Sequence, residues 1–174
     1  MEIINKTYPD SEICRTYLHH AYRIAGSSPD PSTQVGAVIV HPTMGALSHG
    51  CNTLPEGLRE CNKVLQTDDK YHYIEHAERN AILSCFQAKY SPKDSTMYAT
   101  WACCPDCARA IIASGINKVV SHKEMYDRYT GESKKLVDIG IEMLEKANIE
   151  VILWSGDVSK GRIKIKTSGK IWSP

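Results

Sequence analysis

His76-Ala77-Glu78 and Cys104-Pro105-Asp106-Cys107 constrain this chain more than any other stretch, because each sits at the start of an expected helix. Apolar spacing predicts a helix over 74–87 with His76 and Glu78 in its first turn. A second is predicted over 104–114, with Pro105 at its first position and Gly115 just past its end. Cys104 and Cys107 then lie one turn apart on one face. The positive end of the backbone dipole stabilises thiolates there, the form that binds metal. A fold that brings the two helix starts together gathers one imidazole and two thiolates. Three protein ligands leave a tetrahedral zinc with one open position, as in catalytic sites. Zinc so held lowers the pKa of a water to about 7. Glu78, two residues past His76, is too close along the chain to ligate comfortably and well placed to move that water's protons.

Simpler readings fit less well. A redox C-x-x-C leaves His-Ala-Glu unexplained, and no second C-x-x-C completes a four-cysteine site. Cys103 adjoins Cys104, but Cys103 and Cys107 miss the C-x-x-C spacing. Cys104 is therefore the expected ligand, with Cys103 packed or at the pocket edge. Cys85 falls on a helix and reads as core. Cys51 and Cys61 with His49 follow no metal-binding spacing.

The 174 residues are one domain's worth, 42% hydrophobic and 24% charged. A net charge of +1 supplies no electrostatic footprint for nucleic acid or membrane. Met1-Glu2-Ile3-Ile4-Asn5-Lys6 has neither the basic stretch nor the apolar run of a signal peptide. Seven cysteines without such a signal point to a reducing compartment, and a cytoplasmic location is expected.

Asp10-Ser11 reads as a helix start, and Ile13, Tyr17, Leu18, Ala21 and Ile24 recur at helical spacing up to Gly26. A loop follows over 27–32. A strand over 35–40, a turn at 41–45 and a return over 46–50 suggest a hairpin. The polar segment 52–69 reads as a long loop. Strands over 96–99, 118–121 and 150–154 alternate with helices over 104–114 and 132–147, which implies parallel pairing. The expected fold is α/β: a three-layer α/β/α sandwich with a mixed central sheet, the hairpin first and parallel strands after. One catalytic domain is expected over 1–154. The remainder, 155–174, is expected to be a solvated tail or an oligomer contact, with the alternation Arg162-Ile163-Lys164-Ile165-Lys166 an exposed strand at most and a cationic clamp on phosphate the less favoured alternative.

The His-x-Glu and Cys-x-x-Cys pair resembles the signature of zinc-dependent nucleobase deaminases. Longer stretches resemble the deoxycytidylate (dCMP) deaminases of the cytidine-deaminase-like fold, from about Ser27 to Trp154. They are Asp30-Pro31-Ser32-Thr33-Gln34-Val35-Gly36-Ala37, Gly50-Cys51-Asn52-Thr53-Leu54-Pro55-Glu56-Gly57, the run Lys70-Tyr71-His72-Tyr73 leading to His76, and Cys104 to Ile112. The Lys-Tyr-x-Tyr approach and the Gly-x-Asn-x-x-Pro-x-Gly loop favour the dCMP branch over nucleoside, tRNA-adenosine, guanine or riboflavin-pathway deaminases. The resemblance implies a zinc enzyme that converts dCMP to dUMP and ammonia for thymidylate synthesis. It implies that Asn52 bonds the sugar, that the backbone at Ala77 holds the cytosine carbonyl, and that Thr100, Trp101 and Ala102 line the base pocket and receive the amino group. It places Tyr126 near the sugar-phosphate, with Arg128 a further candidate for the phosphate. It also implies a homo-oligomer, a hexamer in many members, activated by dCTP and inhibited by dTTP, with Mg2+ on the triphosphate. Cys51 stands where an aromatic residue is usual, and 58–69 departs from the pattern.

Three other readings compete. One is deamination of another free cytosine nucleotide, dCTP or a 5-substituted dCMP. Another is a nucleic-acid-binding or editing module, against which the near-neutral charge and the lack of an aromatic-basic stripe count. The last is a non-catalytic zinc scaffold.

Overall fold

The computed structural model describes residues 12–174. The proposed helix start at Asp10-Ser11 lies outside them. The chain runs through α1 (Glu12–Ala25), β1 (Gly36–His41), β2 (Gly45–Cys51), a 3₁₀ segment (Glu56–Gln66), α2 (Lys70–Tyr73) and α3 (Ala77–Gln87). It continues through β3 (Thr96–Ala99), α4 (Pro105–Ser114), β4 (Lys118–His122), α5 (Lys123–Tyr126), α6 (Gly131–Lys146), β5 (Glu150–Trp154), β6 (Ile165–Thr167) and β7 (Lys170–Trp172).

The central sheet has the order β2-β1-β3-β4-β5. β1 pairs antiparallel with β2 and β3, whereas β3, β4 and β5 are mutually parallel. This is the expected mixed sheet, and the alternation of side chains along each strand builds its layers. Ala37, Ile39, Met97, Ala99 and Val119 face a core shared with α3 and α4. Val38, Val40, Tyr98, Val120 and Ile152 face the opposite core, under α1. The strands are apolar on both faces because helices cover both.

Two close approaches fix how the helices sit. A Cβ on Gly50 would lie 2.5 Å from the Ala81 nitrogen and 2.6 Å from the Ala77 oxygen, so β2 meets the first turns of α3 backbone to backbone. A Cβ on Gly140 would collide with the Cys103 carbonyl, so α6 lies directly against the loop that carries Cys104. Among the described residues no helix is long and apolar enough to cross a membrane.

Three segments differ from expectation. The loop expected over 52–69 folds into the 3₁₀ segment, because Leu54, Leu65 and Ile74 bury one another in a small cluster of their own. The helix expected from Ile74 starts instead at Ala77. Glu75 exchanges backbone hydrogen bonds with Thr53 (2.8 and 3.1 Å), which holds 74–76 extended. The third difference is the tail. Residues 165–172 form a hairpin whose two-residue turn, Ser168-Gly169, has φ of 49° and 75°, the left-handed pair such turns use. Ile165 is 1% exposed and packs with Val158 into the core under α1. The solvated reading fails because alternate residues of β6 have an apolar surface to cover.

Truncating Ile165→Ala should therefore cost about 2–5 kcal/mol of unfolding free energy in denaturant titrations. An exposed isoleucine would show almost none of that loss.

Candidate active site

β2, β3, β4 and β5 all run in one direction, and the site lies beyond their carboxyl ends, where open α/β sheets place ligands. The segment after β3 leads to Cys104, and the 3₁₀ segment and α2 lead from β2 to His76. Each of these two residues is the N-cap of its helix, in extended backbone (ψ 151° at His76 and 170° at Cys104). Pro105 opens α4 and a left-handed Gly115 closes it. The sequence reading placed His76 in the first turn; it stands one step earlier because the Thr53–Glu75 bridge delays the helix.

The His76 Nδ1 lies 3.6 Å from the Cys104 Sγ and 3.4 Å from the Cys107 Sγ. All three donor atoms lie within 4.8 Å of one another, and this is the one such group among the described residues. Cys51, Cys61 and His49 form no second one. Zn–S bonds of about 2.3 Å and Zn–N bonds of about 2.0–2.1 Å, at the tetrahedral angle, separate N from S by roughly 3.5 Å. The spacing here fits that edge.

Electrostatics fit too. The Cys104 thiol is pulled down to about 4, first by its hydrogen bond with Cys107 and then, against the cost of burial, by the one with His76. Cys107 is pushed up, first by Cys104 and then by burial. Two sulfurs in contact thus share one proton, and a divalent cation in its place would let both ionise. His76 is raised above its usual value chiefly by the bond to Cys104. Cys103, 2% exposed, is held protonated by burial and points to no ligand group.

Glu78 is buried in the first turn of α3, with Oε2 3.6 Å from the Cys107 Sγ. Burial raises its carboxyl above the ordinary range. Outside this centre, Glu75 Oε1 accepts the His76 N–H (2.8 Å) and the Arg79 Nε–H (2.5 Å). Arg79 also reaches Asp106 on α4 at 3.8 Å, so one guanidinium braces the two helix starts.

His76, Ala77, Glu78 and Cys104 open into a cavity of about 400 Å³. Asn52 lines it as well, but its amide is already engaged: Oδ1 accepts the Val35 N–H (2.7 Å) and Nδ2 donates to the Thr33 carbonyl (2.8 Å). One lone pair of Oδ1 remains for a ligand. Trp101 and Ala102 line the wall, their carbonyls accepting from the Ser121 hydroxyl (3.3 Å) and the Tyr129 hydroxyl (2.9 Å).

Two residues singled out in the sequence do not reach the cavity wall. Thr100 is fully buried beneath it, its hydroxyl accepting the Gly36 N–H at 3.1 Å, so it supports β1 and lines nothing. Tyr126 turns away toward α6, where its hydroxyl donates to Asp138 (2.8 Å) and accepts from Lys134 (2.7 Å). Tyr129, one turn later, lines the cavity instead and packs edge-on against Trp101 with centroids 4.9 Å apart. Sequence reasoning also missed the pair Asp30–Lys70 in the cavity wall, with Nζ 3.1 Å from each carboxylate oxygen and both residues buried. Asp30-Pro31-Ser32 is a turn signal that could have exposed half of it: Asp30 Oδ1 accepts the N–H groups of Ser32 (2.8 Å) and Thr33 (3.1 Å).

Comparison with known proteins agrees with this geometry. A family model described as the cytidine and deoxycytidylate deaminase zinc-binding region matches residues 11–123. An uncharacterized deaminase of Aliivibrio fischeri is 32% identical over 150 residues, 86% of this chain and 99% of that protein. The deoxycytidylate deaminase of Mus musculus is 36% identical over 119 residues; the match spans 63% of this chain and only 64% of the mouse protein. Among solved structures, the dCMP deaminase of cyanophage S-TIM5 in complex with dCMP and dUMP superposes with a TM-score of 0.64 at 26% identity. That match covers 83% of this chain and 98% of the phage chain.

Metal analysis of purified variants separates the adjacent cysteines. Cys104→Ser should lose bound zinc, whereas Cys103→Ser should retain it; equal loss in both would reassign the ligand.

Proposed function

The chain belongs to the cytidine and deoxycytidylate deaminase family, and we propose that it hydrolyses dCMP to dUMP and ammonia. The observation that carries this reading is Glu78, buried against the His76, Cys104 and Cys107 cluster at the end of a cavity large enough for one nucleotide. A zinc ion held by those three residues would supply the Lewis acidity that makes water nucleophilic at neutral pH. Glu78 moves the protons. As water oxygen adds to C4 of cytosine, the carboxylate takes one proton and delivers it to N3. It then carries the second to the amino group, which leaves as ammonia while C4 becomes a carbonyl. A carboxyl raised by burial suits both halves of that shuttle.

Other residues orient the base and sugar. The first N–H of α3, at Ala77, has no partner within the helix and suits the cytosine carbonyl. Trp101 and Ala102 line the cavity, and reception of the departing amino group by this segment rests on the family resemblance; Trp101 with Tyr129 supplies aromatic wall. Asn52 offers its remaining lone pair to a sugar hydroxyl. Thymidylate supply as the role of the product, assembly into a homo-oligomer such as a hexamer, and control by dCTP and dTTP with Mg2+ rest on the family resemblance.

Ammonia release over a panel of dCMP, dCTP, 5-substituted dCMP and deoxycytidine tests the substrate. dCMP should give the highest kcat/KM, and Glu78→Gln should lose about 10²–10⁴-fold in turnover with zinc retained. A panel led by another cytosine nucleotide would move the substrate and leave the chemistry. At subsaturating dCMP, added dCTP should raise the rate and dTTP lower it; flat responses to both would remove regulation.

A further inference from the structure

The hairpin β6–β7 lies beyond the residues that the family model matches, yet it touches both walls of the cavity. On one wall it grips the loop 32–34. Gln34 N–H donates to the Lys166 carbonyl, Lys166 N–H to the Gln34 Oε1 and Gly169 N–H to the Ser32 carbonyl, each at 2.9 Å. Ser168 at the turn itself lines the cavity. On the other wall, the guanidinium of Arg128 lies 4.8 Å from the ring centroid of Trp172.

Arg128 differs from the other cation of the cavity wall. Lys70 is 7% exposed and both oxygens of Asp30 hold it, so its charge is already answered inside the protein. No carboxylate pairs with Arg128 among the described residues: neighbouring Asp127 is taken by Lys123 at 2.6 Å. Arg128 therefore lines the cavity with its charge unneutralised, and the group packed against its guanidinium is the indole of Trp172. The indole is itself anchored, with centroids 5.8 Å from Tyr22 and 5.9 Å from His122.

We propose that Trp172 is a positioning residue for phosphate recognition: it holds Arg128 at the cavity wall, so that the C-terminal hairpin decides the preference for nucleotide over nucleoside. The inference rests on the nucleotide reading of this cavity. The cation–π contact leaves all five guanidinium N–H donors free for phosphate oxygens while removing the freedom of the side chain. Through its bonds to 32–34 the same hairpin sets the opposite wall, which fixes the width that the sugar-phosphate must span.

The full-length, zinc-loaded protein is compared as wild type, Trp172→Ala and Trp172→Phe. Trp172→Ala should raise KM for dCMP by about three- to tenfold, change kcat little, and leave kcat/KM for deoxycytidine as it was. Trp172→Phe, which keeps an aromatic face, should recover most of the loss. Calorimetry with dUMP and deoxyuridine reads the same contrast without turnover, and only dUMP binding should weaken. Equal losses for nucleotide and nucleoside, or no change in either, would overturn the proposal and leave Trp172 a packing residue. Wild type that binds dUMP no better than deoxyuridine would overturn it too. Selective, Trp172-dependent binding of dUMP by a protein that fails to deaminate dCMP would instead refute the proposed reaction and sustain this inference.

Discussion

Two helix N-termini are forced to share one small volume, and most of the active-site architecture follows from that. Each carries partial positive charge from unpaired N–H groups, so bringing α3 and α4 together is unfavourable unless negative charge lies between them. The chain supplies it as the Cys104 thiolate, with Glu78 and Asp106 in the first turns. The contact is then locked mechanically. Arg79 spans Glu75 and Asp106, Gly50 lets α3 settle onto β2, and Gly140 lets α6 press on the Cys103 carbonyl. A site that concentrates thiolates beside buried carboxyl and imidazole groups is costly without a cation. The family's zinc is the natural counter-charge.

The opposite side of the cavity is organised differently. Asp30, Lys70 and Asn52 are buried polar residues, and each spends its hydrogen bonds on the backbone or on one another. Buried polar groups persist only when satisfied in this way. They make a rigid cradle out of the loop 28–35, which lacks regular structure. Asn52 thus has a structural task independent of any ligand: it pins Thr33 and Val35, while the β6–β7 hairpin holds the same loop from behind.

Legibility in the sequence tracked how local each feature is. Strands 96–99 and 150–154 match their observed bounds because turn residues and apolar runs delimit them. α4 was legible from Pro105 and Gly115, which act through their own backbone. The nearness of Cys104 and Cys107 was legible because C-x-x-C spacing at a helix start places two thiols on one face whatever surrounds them. The Tyr126–Tyr129 distinction was not: both lie at the same end of β4, and Tyr126 is drawn away only by Lys134 and Asp138 on a helix later in the chain. Thr100 reads as a pocket residue until β1 is laid beside it and Gly36 claims its hydroxyl.

The amino-acid sequence by itself determined the layers, the start and end of α4 and the placing of Cys104 and Cys107 one turn apart. Periodicity, capping and ligand spacing are properties of short stretches and survive any packing. Only the tertiary structure decided which residues face the cavity. It delayed α3 by pairing Glu75 with Thr53, turned Tyr126 out and Tyr129 in, joined Asp30 to Lys70, and folded the last residues back to place Ser168 at the cavity and Trp172 against Arg128. Those choices depend on contacts between residues far apart in the chain, and their energies exist only once the sheet has assembled.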